Sequence, residues 1–177
     1  ELSVLFEEFG KSLVIEPYLA NIVLAGTVLD KSNFDKKLDL IEGICSGSVH
    51  VSLAFAEPEN SYENLNPNTS LSEDNKLNGT KSLVLNGKNA SKIIVSCVKN
   101  DSLSLVLVDQ DADGVSFNSF RTIDEQTCAE YIFENVSIDD SNIIATGDEA
   151  ERLLVEAINL ATLCVSAEAV GCMTSCY

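Results

Sequence analysis

Six short runs rich in β-branched and apolar residues follow one another between residues 49 and 138. They read VHVSLAFA, KSLVLNG, KIIVSCV, LSLVLVD, GVSFNSF and AEYIFENVSI. Dipeptides typical of turns lie among them, namely Asn78-Gly79, Asn86-Gly87, Asn100-Asp101 and Asp113-Gly114. Short strands at regular spacing with such turns predict an antiparallel barrel or sandwich.

The residues before the first run have helical periodicity instead. Apolar side chains recur at helical spacing at Leu2, Leu5, Phe6, Phe9 and Leu13. This stripe predicts a first helix. The mostly apolar segment 18–29 predicts a second helix. Ser32, with an acid three residues later, has the form of an N-cap and predicts the start of a third helix there.

The sequence pattern is again typical of a helix after residue 142. Asp148 and Glu149 suit the first turn of a helix, where acids complement the helix dipole. Residues 153–173 are then apolar on nearly every face. Glu156 and Glu168 would make a membrane span costly, so a helix buried in a bundle is favoured. The order of helices, strands and helix predicts an α+β fold.

The charge balance excludes two classes of partner. Eleven Lys and Arg stand against 28 Asp and Glu, a formal net charge of −17. Such a surface repels phosphate backbones and anionic lipid, so neither nucleic acid nor a membrane is expected as a partner.

No metal site is predicted. Six cysteines are scattered without a CxxC motif, mostly among apolar neighbours, which indicates buried free thiols. Residues 109–114 copy the opening of an EF-hand loop, but the twelfth position is Phe120 instead of Glu. The sequence shows no signal peptide, so a cytoplasmic location is expected.

Several stretches resemble the acyl-CoA dehydrogenase family across essentially the whole chain. FEEFGKSLVIEPYL resembles the helix pair that closes its N-terminal domain. LAFAEPE resembles its first signature, LNGTKSLVLNGKNA its second, and YIFENVSIDDSNII its closing strand. Four short motifs resemble those of the small-subunit subfamily of pimeloyl-CoA dehydrogenases, namely EPYLA, LAFA-x-PE, VLNG and AEAVG.

The resemblance implies three parts and a chemistry. Residues 1–47 would end an N-terminal helical domain, 48–142 would form the middle β domain, and 143–177 would begin a truncated C-terminal helical domain. The family oxidises acyl-CoA thioesters with FAD and passes electrons to an electron-transfer flavoprotein. Its members assemble as oligomers, so a homo- or hetero-oligomer is expected. The catalytic base is expected beyond Tyr177.

The resemblance also implies site residues. Backbone contacts to the cofactor are expected from Phe55, Ala56, Leu83, Val84 and Leu85. Substrate contacts are expected from Glu57 and Ser61. The position of Glu57 at a strand corner favours a structural hydrogen-bonding role over an acid-base role.

Residues 59–62 lack the glycines that the family has after Glu-Pro, and three of the expected cofactor positions also depart from the family pattern. Ala56 replaces a threonine whose hydroxyl meets the flavin, and Leu83 and Leu85 replace an aromatic residue and a threonine. Two functions within this family therefore stay open, while a free-standing β-sandwich binding module explains the composition but not the paired signatures. One is a flavin-dependent acyl-CoA dehydrogenase subunit acting on an acyl-CoA, with a dicarboxylyl-CoA as one candidate. The alternative is a non-catalytic, flavin-poor subunit that supports a catalytic large subunit.

Overall fold

The computed structural model of the protein describes residues 1–58 and 66–176. The helices are α1 (Leu2–Ser12), a π-helix (Leu19–Ala25) that continues into α2 (Gly26–Lys31), α3 (Lys37–Ser46) and α4 (Asp148–Ser175). The strands are β1 (Val51–Ala54), β2 (Ser70–Leu71), β3 (Lys76–Leu85), β4 (Lys92–Lys99), β5 (Ser102–Asp109), β6 (Val115–Arg121), β7 (Thr127–Ser137) and β8 (Ile143–Thr146). The predicted α+β order is confirmed.

The strands form one sheet of eight in the order β6-β7-β3-β2-β4-β5-β8, with β1 beside β4. Most neighbours are antiparallel, as predicted, but β1 and β2 each run parallel to β4. A tight hairpin joins only antiparallel neighbours. Strands β2 and β3 come between β1 and β4 in the sequence. No tight hairpin therefore joins β1 to β4, and the two strands can be parallel.

The turn dipeptides have two different outcomes. Asn100 and Asp101 have φ angles of 49° and 60° and join β4 to β5 as a two-residue hairpin loop, as predicted. The turn predicted at Asn78-Gly79 is wrong, because both residues lie inside β3 at a register shift. A Cβ on Gly79 would lie 2.6 Å from Oγ1 of Thr69. This glycine therefore permits β3 to approach closely the segment just before β2.

Apolar residues pack against both faces of the sheet. Ile94 and Leu105 face the helices and join a cluster with Phe6, Val28 and Leu153. On the other face a second cluster contains Leu77, Val84, Ile93, Val95, Val106, Tyr131 and Phe133. Strands β4 and β5 are covered on both sides, which explains their unbroken apolar sequences.

Helices α1 and α4 cross at two glycines. A Cβ on Gly10 would lie 2.0 Å from the carbonyl oxygen of Glu168, and one on Gly171 would lie 2.0 Å from that of Glu7. Only glycine allows the two backbones to approach this closely. The crossing fixes the position of α4 over the sheet.

The predicted N-cap at Ser32 is wrong. Helix α3 begins at Lys37, five residues later. The Ser32 hydroxyl donates to the carbonyl oxygen of Leu29 at 2.8 Å and accepts the N–H of Phe34 at 3.3 Å. Its hydrogen bonds close α2 instead of opening α3.

Helix α4 is long and apolar enough to cross a membrane by length and composition alone. A helix buried in a bundle has the same two properties. Leu153, Leu154 and Cys164 are buried against the rest of the fold, whereas Leu163 and Met173 are more than half exposed. The expectation that no membrane is involved stays a prediction.

Candidate functional site

An apolar pocket of about 320 Å³ lies between α4, the π-helix and the ends of β1 and β3. Its lining comprises Leu19, Leu24, Phe55, Ala56, Leu83, Leu85, Ile158, Ala161, Thr162, Val165 and Ser166. Concave, mostly apolar pockets with a few polar groups are the usual form of a small-molecule site.

Four of the five predicted cofactor-binding residues line this pocket. Phe55 and Ala56 directly follow β1, and Leu83 and Leu85 belong to β3, so two distant parts of the sequence meet in one wall. Val84 does not line it, because its side chain joins the cluster on the opposite face of the sheet. Only the backbone of Val84 could contribute to this wall.

The sequence interpretation missed the pocket residues on the helices. Leu19 and Leu24 lie on the π-helix, within the segment 18–29 that the sequence predicts only as a helix. Five residues of α4 contribute as well, at the spacing of one helix face. The near-uniform apolar sequence of α4 hides this face from a periodicity argument.

Hydrogen bonds to backbone carbonyl groups hold the sheet wall of the pocket together. The N–H of Ser82 donates to the carbonyl oxygen of Ala56 at 2.9 Å. The hydroxyl of Ser52 donates to the carbonyl oxygen of Leu85 at 2.8 Å. Between Lys81 and Val84 the register shifts, and Leu83 adopts a left-handed φ of 49°. A bulge of this kind re-aims a side chain, here toward the pocket.

Glu57 and Lys81 form a buried ion pair directly behind this wall. Lys81 Nζ lies 2.7 Å from Glu57 Oε1 and also donates to Ser96 Oγ at 3.0 Å. The same carboxylate accepts the N–H groups of Asn68 and Thr69 and the Thr69 hydroxyl. Glu57 thus has the structural hydrogen-bonding role that the strand-corner argument favoured.

The expectation that Glu57 binds substrate stays a prediction. Glu57 also borders a separate small pocket, of about 260 Å³, with Pro58 and Thr80. Ser61, the other expected substrate contact, lies outside the described residues.

The two pKa values follow from this environment. Burial opposes ionisation of Glu57, but hydrogen bonds from Lys81 and Thr69 outweigh it and lower the pKa of the carboxyl below its usual 4.5. Burial lowers the pKa of the Lys81 ammonium, and the neighbouring carboxylate opposes that shift. Each buried charge of the pair is stabilised by the other, so removing either one would leave an uncompensated charge.

Residues 109–114, with their EF-hand-like sequence, end β5 and form the turn before β6. Within residues 1–58 and 66–176, no three His, Cys, Asp or Glu are grouped so that they could hold a metal ion.

All six cysteines are free. Cys97, Cys128 and Cys164 are buried, as predicted, whereas Cys45 and Cys176 are exposed. Burial raises the pKa of the Cys97 thiol to about 12.

The pocket lining suits a largely apolar group. The side chains of Ala56, Leu83 and Leu85 supply apolar surface and no hydrogen-bond donor. The expected flavin would meet this lining with the faces of its ring, while its polar edge would depend on backbone groups and on the hydroxyls of Thr162 and Ser166. Among the described lining residues none is acidic, so the pocket has no general base of its own from this part of the chain.

Comparison with known proteins agrees with this geometry. The family model for the acyl-CoA dehydrogenase middle domain matches residues 52–136. Residues 52–136 are thus similar to the middle domain of that family. The resemblance deduced from the sequence is confirmed for the family, but the small-subunit subfamily is untested. No protein of curated function matches the chain significantly.

Solved structures of the family share the fold over nearly the whole chain. A glutaryl-CoA dehydrogenase in complex with glutaryl-CoA superposes with a TM-score of 0.87 at 18% identity, covering 98% of this chain and 48% of that one. Butyryl-CoA dehydrogenase from Megasphaera elsdenii gives 0.85 at 17%, covering 96% and 48%. The ChsE4–ChsE5 complex from Mycobacterium tuberculosis gives 0.83 at 18%, covering 96% and 45%. The chain therefore spans about half the length of the structures that it matches.

Proposed function

We propose that the protein is a subunit of a flavin-dependent acyl-CoA dehydrogenase that converts an acyl-CoA to a trans-enoyl-CoA. One observation carries the proposal: Phe55, Ala56, Leu83 and Leu85, chosen from two sequence signatures, meet in a single pocket that α4 closes. When bound, the flavin supplies a hydride acceptor for the acyl β-carbon, and the α-proton goes to a base.

The described lining residues would hold the flavin ring but include no base for the α-proton. The β3 bulge and the Ser82–Ala56 hydrogen bond hold the apolar wall against which a ring can stack. The base is proposed to lie beyond residue 177, in the C-terminal helical part that residues 143–177 would begin. Residues 1–47 and 48–142 would be the helical and β parts that border the ligand.

The acyl chain is a separate question. The small-subunit resemblance points to a dicarboxylyl-CoA, whose distal carboxylate would need a cationic partner. Lys81 is the basic residue directly behind the pocket wall, and Glu57 already pairs with it. A partner for such a carboxylate would have to come from outside the described lining.

A second candidate function is a supporting subunit that holds little or no flavin. Ala56, Leu83 and Leu85 favour it, because their side chains cannot hydrogen-bond a flavin. A complex of two chains contains this fold, the ChsE4–ChsE5 complex. In either case we propose a cytoplasmic oligomer whose catalytic subunit passes electrons to an electron-transfer flavoprotein.

An absorbance spectrum of the purified full-length protein, alone and with a candidate large subunit, separates these functions. Flavin bands in the protein alone that bleach on addition of an acyl-CoA support the catalytic subunit. Flavin bands that appear only when the large subunit is present favour the second function, a supporting subunit. Flavin in neither preparation would contradict both.

Two matched variants tie the flavin to this pocket. Val165 and Val170 are both on α4 and both 47% exposed, but only Val165 lines the pocket. Val165→Trp should fill the pocket and reduce the flavin content, whereas Val170→Trp should retain it. Equal flavin content in the two variants would place the flavin elsewhere.

A further inference from the structure

One face of α4 presents two hydroxyl groups to the apolar pocket. Ile158, Ala161, Thr162, Val165 and Ser166 all line it. Thr162 and Ser166 are four residues apart, so their side chains are neighbours on one face of the helix. They are the only polar side chains among the described residues of the lining.

The protons of both hydroxyls are already used inside the helix. Thr162 donates to the carbonyl oxygen of Ile158 at 2.8 Å, and Ser166 donates to that of Thr162 at 2.7 Å. A hydroxyl that donates in this way keeps two acceptor lone pairs. Each side chain is exposed, so these lone pairs are accessible from the pocket.

The opposite wall makes this pair of acceptors selective. Leu24, Phe55, Leu83 and Leu85 offer no side-chain acceptor. A ligand that buries an N–H there without a partner would lose the hydrogen bond that the N–H made to water, which is costly. The same N–H aimed at α4 would find two oxygens one turn apart.

We propose that Thr162 and Ser166 are the hydrogen-bond-accepting edge of this pocket and bind an amide-type N–H on an otherwise apolar ligand. The inference rests on the proposed function, which offers two sources of such a group: the imide N–H of the flavin ring and the amide N–H of the pantetheine arm of acyl-CoA. Both present the same chemistry to α4.

The test uses the full-length protein and the variants Thr162→Val, Ser166→Ala and their combination. Thr174→Val is the matched control, because Thr174 makes the same bond to the carbonyl oxygen of Val170 at 2.8 Å but does not line the pocket. Circular dichroism checks that each variant folds. Dissociation constants are measured for FAD and, separately, for octanoyl-CoA.

Each hydroxyl removed should weaken binding of one ligand about three- to tenfold, the effect of one neutral hydrogen bond. Weaker binding of FAD identifies the flavin as the source, and weaker binding of octanoyl-CoA identifies the pantetheine arm. Unchanged constants for both ligands would overturn the inference while the proposed function stands. So would an equal loss in Thr174→Val. A wild-type protein that binds neither ligand would overturn the proposed function, and the inference with it.

Discussion

Lys81 Nζ lies 2.7 Å from Glu57 Oε1, and the two side chains are 0% and 3% exposed. The pair joins β3 to the segment that leaves β1, and its other hydrogen bonds reach Ser96 on β4 and Thr69 before β2. A buried ion pair adds little net stability, but removing one partner leaves an uncompensated charge. The pair therefore specifies where the wall containing Phe55 and Ala56 must lie.

Lys81→Met should be strongly destabilising, because it leaves the Glu57 carboxylate buried without its cation. The expected loss is about 3–5 kcal/mol in the free energy of unfolding, measured by urea denaturation. Adding Glu57→Gln removes the charge and keeps an acceptor for Thr69. The double variant should recover a large part of the loss, whereas equal stability of the single and double variants would contradict a buried charge as the cause.

The same pair should make stability fall in acid. Because the folded-state pKa of Glu57 lies below the usual 4.5, its contribution is present above that value and is lost as the pH falls through the lowered pKa. Urea denaturation at about pH 7 and about pH 3 measures the loss. The Lys81→Met/Glu57→Gln variant should lose less free energy over this interval than the wild type does. An equal loss in both proteins would show that other carboxyls carry the acid sensitivity.

Gly171→Ala should separate α1 from α4. The new Cβ would lie 2.0 Å from the carbonyl oxygen of Glu7, which is backbone and cannot swing away. Overpacking of this kind costs about 1–3 kcal/mol or more, measurable as a lower midpoint of urea denaturation. Gly26→Ala is the control, since its Cβ would lie 3.3 Å from the nearest atom, the Asn21 carbonyl oxygen. The gain in helix propensity should offset that mild contact. A Gly171→Ala protein as stable as the control would contradict the close crossing.

The order of elements was predictable, because strand and helix periodicities are local properties of the sequence. Long-range approaches were not. The Asn78-Gly79 pair has the composition of a turn, yet Gly79 is required by the nearness of Thr69, which only the folded sheet creates. The pocket shows the same limit. The two signatures predicted its sheet wall, whereas its helical wall depends on how α4 crosses α1. Glu57 could be read as a structural group, but its cation, twenty-four positions away, could not.

Leu83 should tolerate glycine better than valine. Its φ of 49° lies in the left-handed region, which costs a non-glycine residue about 1–3 kcal/mol and a β-branched residue the most. Leu83 is 36% exposed, so glycine loses only part of a side-chain contact, and relief of the left-handed backbone offsets that loss. Leu83→Gly should therefore unfold at nearly the wild-type urea concentration, and Leu83→Val should lose about 1–2 kcal/mol. Both variants remove pocket lining, so ligand affinity should fall in each. If ligand affinity fell only in Leu83→Val, the variant that also loses stability, the bulge in β3 would support the sheet and not the pocket.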